Sequence, residues 1–159
     1  MDITVVWRTP ARLAVAPQKA AQDFVVIGAD EKRIPDKPGV YVFARAFGKK
    51  YEPIYIGQAD NLRSRVGDHL KKNVALMKAL REAKKGPKVV LLGEISTRQG
   101  QQIQRVLDVV ERMLIAEAVD AGYTLVNRQL TKARFHTVVS VGPTAARGPF
   151  ERTNHVPIG

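Results

Sequence analysis

An α+β fold is predicted, with a small central antiparallel sheet of about three strands flanked by helices, and three observations predict it. An alternating segment at 40–47 and a β-prone return at 53–56 are joined by Gly48-Lys49-Lys50, the pattern of a hairpin. Two stretches with helical periodicity precede a third β-prone run at 88–95, and a longer helical stretch follows it. Strands and helices do not alternate in the regular way that builds a parallel sheet.

Taken in order, Ile3 to Trp7 is expected as a short strand and Pro17 to Phe24 as a helical turn or two ahead of the apolar run beginning at Phe24. Asp30 to Pro38 is a charged, proline-containing loop. In the next strand Val40, Val42, Ala44 and Ala46 share one side, and Tyr41, Phe43, Arg45 and Phe47 the other, so both faces are occupied. Pro53 to Ile56 returns and Gly57 is expected to end it. Asp60 or Asn61 suits a helix N-cap, with Leu62, Val66 and Leu70 at helical spacing up to about Lys72. A second helix is expected over Val74 to Lys85, broken at Gly86-Pro87, with Leu76, Ala79, Leu80 and Ala83 on one side. Lys88 to Ile95 is the third strand, and Gln101 to about Ala121 the longest helix, stopped by Gly122. Val138 to Val141 forms a late strand, and residues 142–159 a tail that folds against a partner or its own body.

The 159 residues are one domain's worth, with 45% hydrophobic and 26% charged residues, the balance of a folded protein. Residues 37–128 form the core, 1–36 an N-terminal extension packed on it, and 129–159 a basic C-terminal extension. The absence of cysteine excludes disulfides, thiolate metal sites and cysteine nucleophiles. The start lacks a cationic segment followed by a long apolar one, and no run reaches the roughly 18 apolar residues of a membrane span. A cytoplasmic protein that does not enter membranes is expected.

The charge narrows the partner. With 26 Lys and Arg against 15 Asp and Glu the net is +11, which favours a polyanion, nucleic acid first. Residues 58–105 hold eleven Lys and Arg against four Asp and Glu, whereas 106–126 hold one against four. A basic surface beside a small acidic island suits a nuclease, which needs a phosphate-binding face and a carboxylate for a metal. Lys71, Lys72, Lys78, Arg81, Lys84, Lys85 and Lys88 form the densest basic stretch, able to track a phosphate backbone without reading sequence.

Chemistry-bearing residues gather at the edges of the predicted elements. Tyr41 opens the first hairpin strand in Gly39-Val40-Tyr41, and Tyr55 closes the second in Tyr55-Ile56-Gly57. Arg65 and His69 stand at i and i+4 on one face of the next helix. Glu111 lies within about 60° of Leu107, Leu114, Ile115 and Ala118, so its carboxylate sits in the apolar stripe and requires a partner. Glu117 also lies near apolar positions, and periodicity does not separate the two. Taken singly, the tyrosines are ordinary half-buried sheet residues, and Arg65 and His69 an ordinary solvated face.

Taken together, the assembly resembles the GIY-YIG nuclease superfamily. The two naming tripeptides are Gly39-Val40-Tyr41 and Tyr55-Ile56-Gly57; the run from Gln58 to Arg65 is similar to the turn and helix carrying the family's arginine, and Glu111 to Ile115 to its acidic helix. Asn127, in Leu125-Val126-Asn127, is similar to the asparagine that commonly closes the domain. The stretch from Glu111 to Asn127 is about four residues longer than the family's usual spacing. The resemblance covers roughly 37–128 and implies an endonuclease acting on DNA with one Mg2+ or Mn2+. Glu111 would hold the metal, Arg65 would face the phosphoryl group, Tyr41 would be the base, Tyr55 would orient water or share its proton, and His69 would assist. A hard cation that keeps most of its waters asks for little more than one protein carboxylate, which agrees with that assignment. Within the resemblance Glu111 is preferred to Glu117 because Glu-x-x-Leu-Ile matches the family's pattern. A non-catalytic nucleic-acid-binding module on the same scaffold, or an endonuclease acting on RNA, are the alternatives. Neither extension carries a zinc-finger or helix-turn-helix pattern.

Overall fold

A computed structural model describes residues 2–18, 22–127, 134–142 and 153–158. The chain is α+β. Its strands are β1 (Asp2–Trp7), β2 (Ala11–Val15), β3 (Phe24–Val26), β4 (Gly39–Phe47), β5 (Lys50–Ala59), β6 (Lys88–Ile95), β7 (Arg134–Val141) and β8 (Thr153–Ile158). Its helices are α1 (Gly28–Glu31), α2 (Leu62–Lys72), α3 (Val74–Glu82) and α4 (Ile103–Asp120).

The three expected strands, β5, β4 and β6, form an antiparallel trio with β4 in the middle. The sheet is wider than expected, eight strands among the described residues. The far edge of β6 takes β1 against its C-terminal half and β2 against its N-terminal half, both antiparallel. β1 pairs in parallel with β7, which pairs antiparallel with β8, while β2 pairs with β3. β1, expected from the sequence, alternates buried and exposed positions, whereas β3, β7 and β8 are added to the sheet through β2, β1 and β7.

Two irregularities decide which side chains face which layer. Trp7 pairs with Gly93 and Ala11 with Val90, so the three residues between β1 and β2 oppose two of β6. Pro10 lies within this bulge, where its missing N–H costs no ladder bond. Ile3, Val5 and Trp7 therefore pack with α4, and Ala11 and Leu13 pack on the opposite face. In the hairpin, Phe43 pairs with Tyr55 but Ala44 with Pro53, which leaves Ile54 as an extra residue. Tyr51 consequently joins the α4 side, whereas Tyr55 faces the other layer beside Tyr41 and Phe43. The two-residue turn sets Gly48 at φ +57, a conformation that favours glycine at the first position of such a hairpin.

Val40, Val42 and Ala44 meet α4, and Tyr41 and Phe43 meet α2 and α3, as the alternation predicts. Asn61 caps α2, its Oδ1 accepting from Ser64 N–H at 3.0 Å, and Leu62, Val66 and Leu70 are buried. Burying such a side chain stabilises the fold by about 1.5–3 kcal/mol. α3 buries Leu76, Met77 and Leu80. It stops at Glu82 rather than Lys85, because Ala83 is extended (ψ 150) and Lys88 Nζ donates to the Lys84 and Gly86 carbonyls, holding them in a loop. β5 does not end at Gly57; it continues to Ala59, and the capping residue Asn61 follows two residues on. Of the helical turn expected over Pro17 to Phe24, residues 19–21 lie outside the described residues, and Phe24 already belongs to β3. Most of the expected tail, 143–152 and 159, also lies outside them, while Thr153–Ile158 forms β8. Among the described residues no helix is long and apolar enough to cross a membrane.

Candidate active site

Tyr41 and Tyr55 stand on the α2 face of neighbouring strands, their rings stacked with centroids 6.3 Å apart and planes 9° apart. Phe43 meets both edge-on, at 6.0 and 6.4 Å. Opposite Tyr41 in the ladder is Gly57. A methyl group added there would overlap the Tyr41 hydroxyl, so the missing side chain is what lets the phenol reach across β5. Among the described residues that strand pairs only with β4 and forms the sheet's edge.

α2 brings Arg65 and His69 to the same place. His69 Nε2 lies 2.5 Å from the Tyr41 hydroxyl, and its ring contacts Tyr55 with centroids 5.0 Å apart. Arg65, one turn earlier, is exposed, and among the described residues its guanidinium enters no salt bridge. The second nitrogen of His69, Nδ1, lies 2.9 Å from Asn73 Nδ2.

The acid comes from the other layer. Gln58, adjacent to Gly57, has opposite parity and points to the α4 face, where its Nε2 donates to Glu111 at 3.1 Å and to Asp108 at 2.5 Å. Gln104 Nε2 donates in turn to Gln58 Oε1 and to Asp108. Glu111 is half-buried beside the fully buried Leu107 and Leu114, as its place in the apolar stripe predicts. Side chains from both layers therefore meet around the edge of β5. Tyr41, Tyr55, Arg65, His69, Gln58 and Glu111 line one open pocket of about 330 Å³.

The electrostatics of this pocket oppose each other. Burial, followed by the neighbouring Tyr55, pushes the Tyr41 hydroxyl well above the ordinary phenol value; Arg65 acts against this. Tyr55 is raised by burial and by Glu111, and lowered by Arg65 and by a hydrogen bond from Tyr41. Glu111 is raised by burial more than the Gln58 amide lowers it. Burial and then Arg65 lower His69, favouring the neutral ring. A cation at Glu111 would reverse the burial effect on its carboxylate. Among the described residues no three His, Cys, Asp or Glu side chains gather as a metal group. Glu111 and Asp60 are the carboxylates that line the pocket, and a carboxylate there could hold an oxygen-preferring ion that keeps most of its water.

Other expected residues lie elsewhere. Asn127 is not in the pocket; its Oδ1 accepts from Ile56 N–H at 3.1 Å and its Nδ2 donates to the Ile56 carbonyl. With Val126 N–H donating to Ile54 O at 2.9 Å, this segment seals the outer edge of β5. Glu117 lies six residues beyond Glu111, about 9 Å along the axis, and is not among the residues lining the pocket. In the basic stretch Lys71, Lys72, Lys84 and Lys85 are exposed. Arg81 donates to Asp23 at 2.5 Å, Lys78 pairs with Glu82 at 3.9 Å, and Lys88 is engaged with loop carbonyls. Residues not singled out from the sequence, Gln58, Gln104, Asp108 and Asn73, complete the polar surroundings. Asp108 had a signal, standing at i−3 to Glu111; Asn73 had another, an N-cap residue type between two helical stretches.

Comparison of the chain with protein-family models, with curated proteins and with solved structures finds no match.

Proposed function

We propose that this chain is a divalent-metal-dependent endonuclease of the GIY-YIG type that hydrolyses DNA phosphodiester bonds. The observation that carries the reading is the convergence of Tyr41, Tyr55, Arg65, His69 and Glu111 on one pocket at the edge of β5. Four of the five come from one layer and the fifth from the opposite one, so ordinary core packing does not account for their meeting.

In this reading Arg65, exposed at the pocket, faces the phosphate with its planar guanidinium and stabilises the extra charge of the pentacovalent state. Tyr41 takes a proton from the attacking water as that oxygen bonds to phosphorus and the bond to the 3′-oxygen breaks. Its burial disfavours the phenolate, so hydrogen bonding from His69 and the field of Arg65 are needed to offset it. Tyr55, half-exposed and stacked on Tyr41, orients the water. Glu111 would hold the ion, and a bound ion supplies Lewis-acid stabilisation of charge on the phosphate and leaving oxygen. Gln58 holds the carboxylate at the pocket wall.

The test is incubation of the purified protein with supercoiled plasmid, single-stranded and branched DNA, and RNA, in magnesium or in EDTA. Magnesium-dependent nicking of DNA is expected. Binding without cleavage would assign a nucleic-acid-binding module instead, and cleavage confined to RNA would change the substrate.

A further inference from the structure

His69 faces two partners, and the identity of one determines what it can do to the other. Its Nε2 is 2.5 Å from the Tyr41 hydroxyl and its Nδ1 is 2.9 Å from the Asn73 side chain. A neutral imidazole carries one proton, so one of these nitrogens donates and the other accepts. If the proton sat on Nδ1, Nε2 would accept from Tyr41 and His69 would compete with the phenol as a base.

Asn73 decides between them because it is also the N-cap of α3. Its Oδ1 accepts from Leu76 N–H at 3.0 Å. Turning the amide over would set its NH2 against that N–H, two donors facing each other, and would abolish the cap. The cap thus fixes the amide orientation, and Nδ2 must be the group that meets His69 Nδ1. A donor there requires a lone pair on Nδ1, which leaves the proton on Nε2. Asn73 is well placed for this: it ends α2, with its backbone N–H donating to His69 O at 3.0 Å, and starts α3 in the same step.

We infer that Asn73 is a positioning residue that holds His69 as the Nε2–H tautomer, so that His69 donates to Tyr41 and does not act as the general base. The consequence rests on the endonuclease reading: a hydrogen bond donated to the Tyr41 oxygen favours its phenolate, opposing the burial that disfavours it. The same amide donor opposes any second proton on the ring, so the neutral ring is kept. The tautomer itself follows from the cap alone.

The experiment uses the full chain labelled with 15N in the histidine rings. Long-range 1H–15N spectra well above the imidazole pKa report the tautomer, and a His69→Gln variant identifies the His69 signals among the three histidines. The proton is expected on Nε2. Asn73→Asp keeps a good N-cap but presents a carboxylate to Nδ1, so the tautomer should reverse, with the melting temperature unchanged. Plasmid-nicking kcat should then fall by about 100-fold with KM unchanged. Asn73→Ser, which caps without donating to the ring, should populate both tautomers and fall less. A proton on Nδ1 in the unaltered protein, or an Asn73→Asp ring indistinguishable from it, overturns the inference. If Asn73→Asp fails to fold, the unaltered protein and Asn73→Ser decide. If the unaltered protein cleaves nothing, the nuclease reading falls while the ring spectra still decide the tautomer.

Discussion

The Tyr41 hydroxyl lies against the α-carbon of Gly57 on the neighbouring strand, in space that any side chain would fill. Gly57→Ala should therefore leave the fold intact and displace the phenol. Because a misplacement of about 1 Å can cost on the order of 100-fold in rate, plasmid nicking should fall by about that factor, while the far-UV circular dichroism spectrum stays the same. A variant that nicks at the original rate would show that Tyr41 does not need this position.

The two glutamates of α4 separate by position. Glu111 lines the pocket and accepts from Gln58, whereas Glu117 does not line it. Glu111→Gln should abolish magnesium-dependent nicking without lowering the melting temperature, and Glu117→Gln should retain nicking in whatever fraction remains folded. Full activity in the Glu111 variant would remove the carboxylate from the proposed site.

Asn127 should matter to stability rather than to chemistry. Asn127→Ala leaves the Ile56 N–H and carbonyl without their partners at a half-buried edge, a loss of about 1–3 kcal/mol. A lower urea midpoint with an unchanged cleavage rate per folded molecule is the expected pair of results. A rate loss at unchanged stability would give Asn127 a direct part in the reaction.

Acid stability should depend on Asp30. It is fully buried and held at about pKa 2, below the ordinary 3.8, by the Arg12 side chain and then the Arg12 backbone N–H, with Arg33 adding less. Since the folded value is lower than the unfolded one, its contribution is complete above about pH 4 and is lost as the pH falls toward 2. Urea midpoints of the wild type and of Asp30→Asn, measured down this range, should converge. Parallel curves would mean that the carboxylate does not titrate with folding.

Among the basic residues, exposure predicts function. Lys71, Lys72, Lys84 and Lys85 are exposed, whereas Lys88 holds the loop before β6. Each phosphate that is no longer neutralised should flatten the slope of log K against log salt by about 0.9. Reversing Lys71 and Lys72, or Lys84 and Lys85, to Glu should do so, and Lys88→Ala should lower the melting temperature with little change of slope. An unchanged slope in both double variants would place the polyanion elsewhere.

Much of the fold was legible because local signals and tertiary packing agree in its centre. Alternation in β4 named both of its faces, and the positions of Leu62, Val66 and Leu70 named the buried side of α2. The limits of α3 and β5 differ from expectation where a long-range interaction intervenes: Lys88 Nζ holds the loop after Glu82, and pairing with Gly39 and Val40 carries β5 past Gly57 to Ala59. The bulges at Pro10 and Ile54 were not legible either. A bulge exists only relative to a partner strand, and it inverts the parity on which alternation depends.

The site divides in the same way. Composition, motif order and helical spacing determined by themselves that the chain is α+β, and they singled out Tyr41, Tyr55, Arg65, His69 and Glu111, which line one pocket, while the polyanion they suggest stays part of the proposal. Only the tertiary structure decided that Asn127 braces β5, that Gln58 joins Glu111 to Asp108, and that Asn73 orients His69. The reason is physical. Periodicity reports which face of an element is apolar, but a hydrogen bond between two layers depends on the bulges, registers and caps that bring their edges together.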